Sequence, residues 1–213
     1  AVAMYPQIVK LLGGPATLLY MTHEDRGNDS LLLLSHPPVV VLSAGVASER
    51  AQSRTEIDLG MDAAFRFGLA RVVEWSRPRR IFAMADAEGF KRLIAGIQHT
   101  FGADRSRKVE RDVASTGERL RSKLSVAQRK AMTERLAAAG RIDADAYITA
   151  CRRAGDRAGL VACCDATKAM RLSFPESREA VAKLAASPKY LALRRALRGS
   201  AIEVDTNPFN RSL

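Results

Sequence analysis

Cysteine is scarce in this sequence. Cys151, Cys163 and Cys164 form an odd count within one alanine-rich stretch. That excludes a disulfide framework and points to a reducing compartment, the cytoplasm. Apolar runs are short as well: nowhere do about 18 apolar residues follow one another, so no membrane-spanning helix is expected. Aromatic residues make up only 6% while Ala and Leu abound, which favours close-packed helices over a β-sandwich. Histidine is limited to His23, His36 and His99. No two of them stand at a helical ligand spacing and HExxH is missing, so no metal site is expected. Cys163 and Cys164 are neighbours, and neighbours on a helix diverge by about 100°, so they read as buried structural thiols rather than a chelate. Neither GxxxxGK[ST] nor GxGxxG occurs, which leaves no phosphate loop. The run Leu42-Ser43-Ala44-Gly45 is like a nucleophile elbow, but Val41 stands where that turn needs glycine. No cofactor and no catalytic residue is expected on these grounds.

What is present is apolar material and positive charge. Hydrophobic residues amount to 47% of 213, enough for a core, and the net charge is +11. From Arg105 to Arg135 ten Lys or Arg face four Asp or Glu, and residues 183 to 198 carry five Lys or Arg and no acid. Arg121, Lys123, Arg129, Lys130, Arg194 and Arg195 form the candidate basic surface, suited to nucleic acid or an anionic surface. Only Tyr190 offers an aromatic face nearby, so a solvated helix face is the stronger reading. No basic leader precedes an apolar stretch in Ala1 to Leu12, so no signal peptide is expected there. The start on Ala1, directly in an apolar pattern, reads as a fragment of a longer protein.

The patterning predicts α+β: a mostly helical chain with a small three-stranded sheet near the N-terminus. A helix over Val2 to Leu12 should end at Gly13-Gly14-Pro15. Strands are expected at Ala16 to Thr22, Leu31 to Leu34 and Val39 to Ser43, with Pro37-Pro38 separating the last two. Phe65, Leu69, Val72 and Val73 share a helical face, and Pro78 should end that helix and open the next, over Ile81 to His99. Gly102 to Ser115 reads as a surface connection. One amphipathic helix is expected over Glu118 to Ala139 and another from Asp143 to about Leu172. The latter carries Ala150, Ala154, Ala158, Ala162 and Ala166 four apart, with Gly155 and Gly159 beside them, a surface that lets another backbone come close. Ser173 and Glu176 fit a capping box around Pro175. A short helix follows Ser187-Pro188, and Gly199 to Leu213 reads as irregular.

The order of these elements resembles the catalytic domain of HtpX-like zinc peptidases, which are gluzincins. The residues that carry the resemblance are VVVLSAGVASE from Val39, FRFGLARVVEWSR from Phe65 to Arg77, and RRAGDRAGL ending at Leu160. The resemblance spans roughly residues 5 to 172 and implies a zincin-like core, a domain over 1–172 and a helical extension and tail over 173–213. It places the two zinc histidines on Arg71 and Trp75, the general base on Val72 and the third ligand on Arg152. None of these donates a lone pair to zinc or activates water. The resemblance therefore implies a vestigial cleft of Arg71, Glu74, Trp75, Arg152 and Asp156, in which either arginine pairs with Glu74 or Asp156 and Trp75 fills the vacated volume. The function expected from it is a non-catalytic pseudopeptidase-like interaction or scaffold module. Its partner would be another protein or another part of the same polypeptide, with nucleic-acid or anionic-surface binding as the alternative.

Overall fold

The structure is a computed structural model that describes residues 4–15, 17–22, 30–33, 35, 38–43, 59–102, 108–140 and 142–205. It is mostly helical with one three-stranded sheet near the N-terminus. The chain divides into two compact units, one of residues 1–81 with 151–213 and the other of residues 82–150.

The first unit begins with helix α1, Met4–Leu12, whose Tyr5 and Ile8 are buried. Gly13 ends it with φ +56, a left-handed position that glycine adopts without strain. Gly14 then donates to the carbonyl of Val9 at 3.0 Å and closes the turn. Strands β1 (Leu18–Thr22), β2 (Ser30–Leu33) and β3 (Val39–Ser43) follow. Their order is β1-β3-β2, with β1 parallel and β2 antiparallel to β3. Val40, Leu42 and Leu32 lie on the buried face. The opposite face carries Leu18, Tyr20 and Leu33 exposed, with Val39 and Val41 half-buried.

Helix α2, Leu59–Trp75, packs against α1 and β2. Phe67, Leu69, Ala70, Val72, Val73 and Trp75 are all buried, so it is apolar nearly all round, as a central helix must be. It stops at Ser76, whose hydroxyl donates to the Val73 carbonyl at 2.7 Å. Pro78 opens no helix; it lies in a run of turns from Ser76 to Ala85. The rest of this unit is the second half of α6 (Ala144–Cys163), α7 (Ala166–Leu172), a 3-10 turn at Pro175–Ser177, α8 (Arg178–Ala185) and α9 (Pro188–Asp205). Val181 and Tyr190 share one core with Ala63, Phe67, Leu160, Cys163 and Ala169, so residues beyond 172 belong to this packing.

Three expectations change here. The helix from residue 143 breaks at Cys164, which takes φ 54, and restarts with Asp165 accepting from the Lys168 amide at 2.9 Å. The box at Ser173 is not formed; Ser173 donates to the Ala169 carbonyl at 2.7 Å and Phe174 occupies the cap position. The last helix runs on to Asp205 rather than ending near Arg198.

The second unit contains α3 (Ala87–Phe101), α4 (Arg111–Lys123), α5 (Val126–Ala139) and the first turns of α6. Asp86 caps α3 by accepting from the Gly89 amide at 2.6 Å, and Asp143 caps α6 by accepting from Ala146 at 3.0 Å. Phe90, Ala144 and Ile148 form its core, with the Phe90 ring stacked on Tyr147 at 5.2 Å and tilted against Phe82 at 5.3 Å. Helices α3 and α4 cross at Gly96 and Gly117, where an added Cβ on Gly96 would come 2.8 Å from the Val113 carbonyl oxygen. The helix expected over 118–139 is two helices, and α4 begins within the stretch read as a connection. Ser125 and Gln128 form a reciprocal capping box that interrupts it.

Candidate functional site

Phe67, Arg71 and Trp75 recur every fourth residue on α2 and therefore share one face. Opposite them stand Gly155 and Gly159 of α6. A Cβ on Gly155 would come 2.4 Å from Trp75 Nε1, and one on Gly159 2.5 Å from the Phe67 ring. The missing side chains make the space that the two rings occupy. Trp75 Nε1 donates to the Cys151 carbonyl at 2.9 Å, which satisfies the indole in its buried position.

Arg71 lies between these rings. Its guanidinium carbon is 4.5 Å from the Phe67 centroid, 4.9 Å from Phe174 and 5.6 Å from Trp75. Its Nη2 is 2.6 Å from Asp156 Oδ1 and donates to the Leu172 carbonyl at 2.5 Å. Asp156 is fully buried, and its Oδ2 accepts from the Phe174 amide at 3.0 Å. One ion pair thus ties α2, α6 and the segment after α7 together. Burial pushes the Asp156 carboxyl up from its ordinary 3.8, and the Arg71 charge only partly offsets this. Burial likewise pulls the Arg71 guanidinium down against the pull of Asp156. For both partners desolvation outweighs attraction, the usual balance of a buried pair.

Arg152 lies 4.7 Å from the Phe174 centroid, so that ring carries both arginines. Its charge partner is Glu176, at 3.3 Å. Glu176 is held below the usual carboxylate range by a hydrogen bond from its own amide and by Arg152. Of the five cleft residues expected from sequence, Arg71, Trp75, Arg152 and Asp156 therefore meet around Phe174. Glu74 does not join them: it faces Arg77, at 2.7 Å, and Arg80. Arg77 also donates to the Leu12 carbonyl at 2.7 Å, so Glu74 serves the end of α1 instead. Sequence reasoning missed Phe67, Phe174 and Glu176. The first was visible as the residue four before Arg71; the other two follow a helix break that was not foreseen.

The arrangement holds elements together and offers no reactive group. The Asp156 oxygens face Arg71 and the Phe174 amide, and an arginine donates no lone pair. Val72, where the resemblance puts the general base, is buried at 2% exposure. Among the described residues no three His, Cys, Asp or Glu side chains are grouped as a metal would need. His23 and His36 lie outside the described residues, and His99 is on α3. Burial pushes the Cys163 thiol up to about 11, which leaves it protonated and inert. Ser43 ends β3, and the turn that an elbow would need lies outside the described residues.

The basic residues are spread over both units. Arg121, Lys123, Arg129 and Lys130 sit on α4 and α5, and Arg194 and Arg195 on α9. Arg121 is 3.6 Å from Glu118 and Lys130 is 4.0 Å from Glu134, while Arg129 donates to the Leu124 carbonyl at 2.9 Å. Arg194 lies 5.9 Å from the Tyr190 centroid. Lys123 and Arg195 are exposed. No helix among the described residues is long and apolar enough to cross a membrane.

One other surface is unusual. Among the described residues β1 pairs on one side only, with β3. It reads LLYMT, without a charge or a proline, and exposes Leu18 at 52%, Tyr20 at 55% and Met21 at 45%. Edge strands ordinarily carry a lysine, a proline or a bulge that discourages pairing.

No family model matches the chain, and no curated protein or solved structure matches it.

Proposed function

We propose that the chain is a non-catalytic interaction module with a degenerate zincin-like core, and that an extended segment of a partner protein adds to the edge of β1 that no described strand pairs with. The observation that carries the reading is the apolar strand β1, exposed at Leu18, Tyr20 and Met21 and paired on one side only among the described residues. Strand addition gains main-chain hydrogen bonds from such an edge and specificity from alternate side chains. Leu18 and Tyr20, on one face of the strand, would contact every second residue of the added segment. The non-catalytic half of the reading is supported by the closed set around Arg71, in which charge is paired and the volume is filled by rings.

Panning a phage-displayed library of extended peptides on the purified chain, at low and at high salt, tests this. The expected result is enrichment of apolar, alternating sequences whose binding resists salt and is lost in Tyr20→Lys. Retention of polyanions only, with affinity falling steeply as salt rises, would instead establish the nucleic-acid or anionic-surface reading.

A further inference from the structure

Unit 2 contains a groove that the edge-strand reading does not use. One face of α3, the residues leading into α4 and the end of α5 line this open groove, whose volume is about 650 Å³. Sites for small molecules run from roughly 300 to 1,000 Å³. Val113 and Leu136, both 8% exposed, give its wall an apolar part. The charged groups along it are not equally committed. Lys91 is held by Glu88 at 3.1 Å and Asp145 at 3.2 Å. Arg92 is 3.8 Å from Asp112, and Lys108 is exposed and pairs with no acid among the described residues. Glu110 is the carboxylate on the lining and makes no cap to α4. His99 also lines the groove, with Nδ1 buried and without a hydrogen-bond partner among the described residues. An unpaired buried polar atom is costly to hold.

We propose that this groove binds a small organic anion, with its apolar body against Val113 and Leu136 and its head group held by Lys108 and Arg92, beside the His99 ring. An apolar wall with a few converging donors is the general form of such sites. With no acidic partner among the described residues, Lys108 gives up no ion pair to take a ligand's charge. Glu110 leaves room for a hydroxyl or amine elsewhere on the molecule and disfavours a second negative charge near it.

The test uses the full chain and anilinonaphthalene sulfonate as probe, with fluorescence for affinity and the His99 ring resonance for location. One saturable site should appear, and its filling should shift His99, assigned through His99→Gln. Phenyl-naphthylamine, the uncharged analogue, should bind at least about tenfold more weakly, since it forfeits the charge-assisted contacts to Lys108 and Arg92. Lys108→Glu, at an exposed position that does not threaten folding, should weaken the sulfonate by a similar factor. Ala137→Trp should block the groove in a protein with unchanged circular dichroism. Tyr20→Lys should leave the affinity as it was, which separates this site from the edge strand. Displacement by naphthoate or by naphthyl phosphate supports the proposal and identifies the head group. An unmoved His99 resonance, equal affinity for the uncharged probe, loss of binding in Tyr20→Lys, or displacement by neither competitor would overturn it.

Discussion

At the crossing of α2 with α6, Gly155 and Gly159 leave room for the side chains of Trp75, Arg71 and Phe67. At the crossing of α3 with α4, Gly96 and Gly117 leave room only for main chain and a threonine hydroxyl: a Cβ on Gly117 would meet Thr100 Oγ1 and come 2.5 Å from the Gly96 carbonyl oxygen. The first crossing is specified by large side chains and one ion pair, the second by backbone contact. The difference shows that small residues at helical spacing do not say what will fill the space they leave. The small residues of α6 suggested a second backbone, and beside Gly155 and Gly159 rings and a guanidinium stand instead. Close backbone approach occurs between α3 and α4, whose glycines lie in separate helices and form no stripe.

The largest effect should come from the ring that fills the first crossing. Trp75→Ala removes a side chain that is 3% exposed and is expected to cost about 3–5 kcal/mol in urea unfolding. A cost below about 1 kcal/mol, the range of surface changes, would mean that the crossing does not depend on it. The glycines should respond next, and differently. Gly155→Ala and Gly117→Ala should each cost about 1–3 kcal/mol by overpacking. Trp75→Phe, which shrinks the ring, should recover part of the Gly155→Ala loss. Thr100→Ala should not recover Gly117→Ala, because the Gly96 carbonyl remains in the way. Equal recovery in both pairs would erase the distinction between the crossings.

How much of this was legible follows from where the chemistry is local. The three strands and the Asp143 cap were readable because alternation, proline breaks and cap residues act within a few positions. The break at Cys164 was not, since a non-glycine residue with φ 54 is held there by its surroundings rather than by its own preference. The split between α4 and α5 was readable in principle from Ser125 and Gln128, and the amphipathic pattern running across it hid the signal. The site was half legible. Arg71, Trp75, Arg152 and Asp156 meet as the helical spacing on α2 and α6 allows, while Phe174 and Glu176 reach them only because α6 and α7 are separate helices. Glu74 was misplaced because a sequence does not tell which of several arginines a carboxylate will choose.

Two smaller effects sharpen the contrast between buried and surface charge. Tyr20→Lys, on the exposed edge of β1, should change stability by no more than about 0.5 kcal/mol while removing peptide binding. Glu176, whose pKa is lowered from 4.5, contributes stability that is fully present above that value and is lost as pH falls through its folded pKa. The difference in urea midpoint between the wild type and Glu176→Gln should therefore shrink on acidification below 4.5. A difference that stays constant would remove Glu176 from the ion-paired set.

The ion pair between Arg71 and Asp156 is the most direct test, measured as a double-mutant cycle by urea unfolding with Arg71→Met and Asp156→Leu. Each single change leaves one buried charge without its partner and should cost about 3–5 kcal/mol. The double variant, with both charges gone, should return to within about 1 kcal/mol of the wild type or exceed it. Single costs that simply add in the double variant would contradict the account, because the two side chains would then not act as a pair.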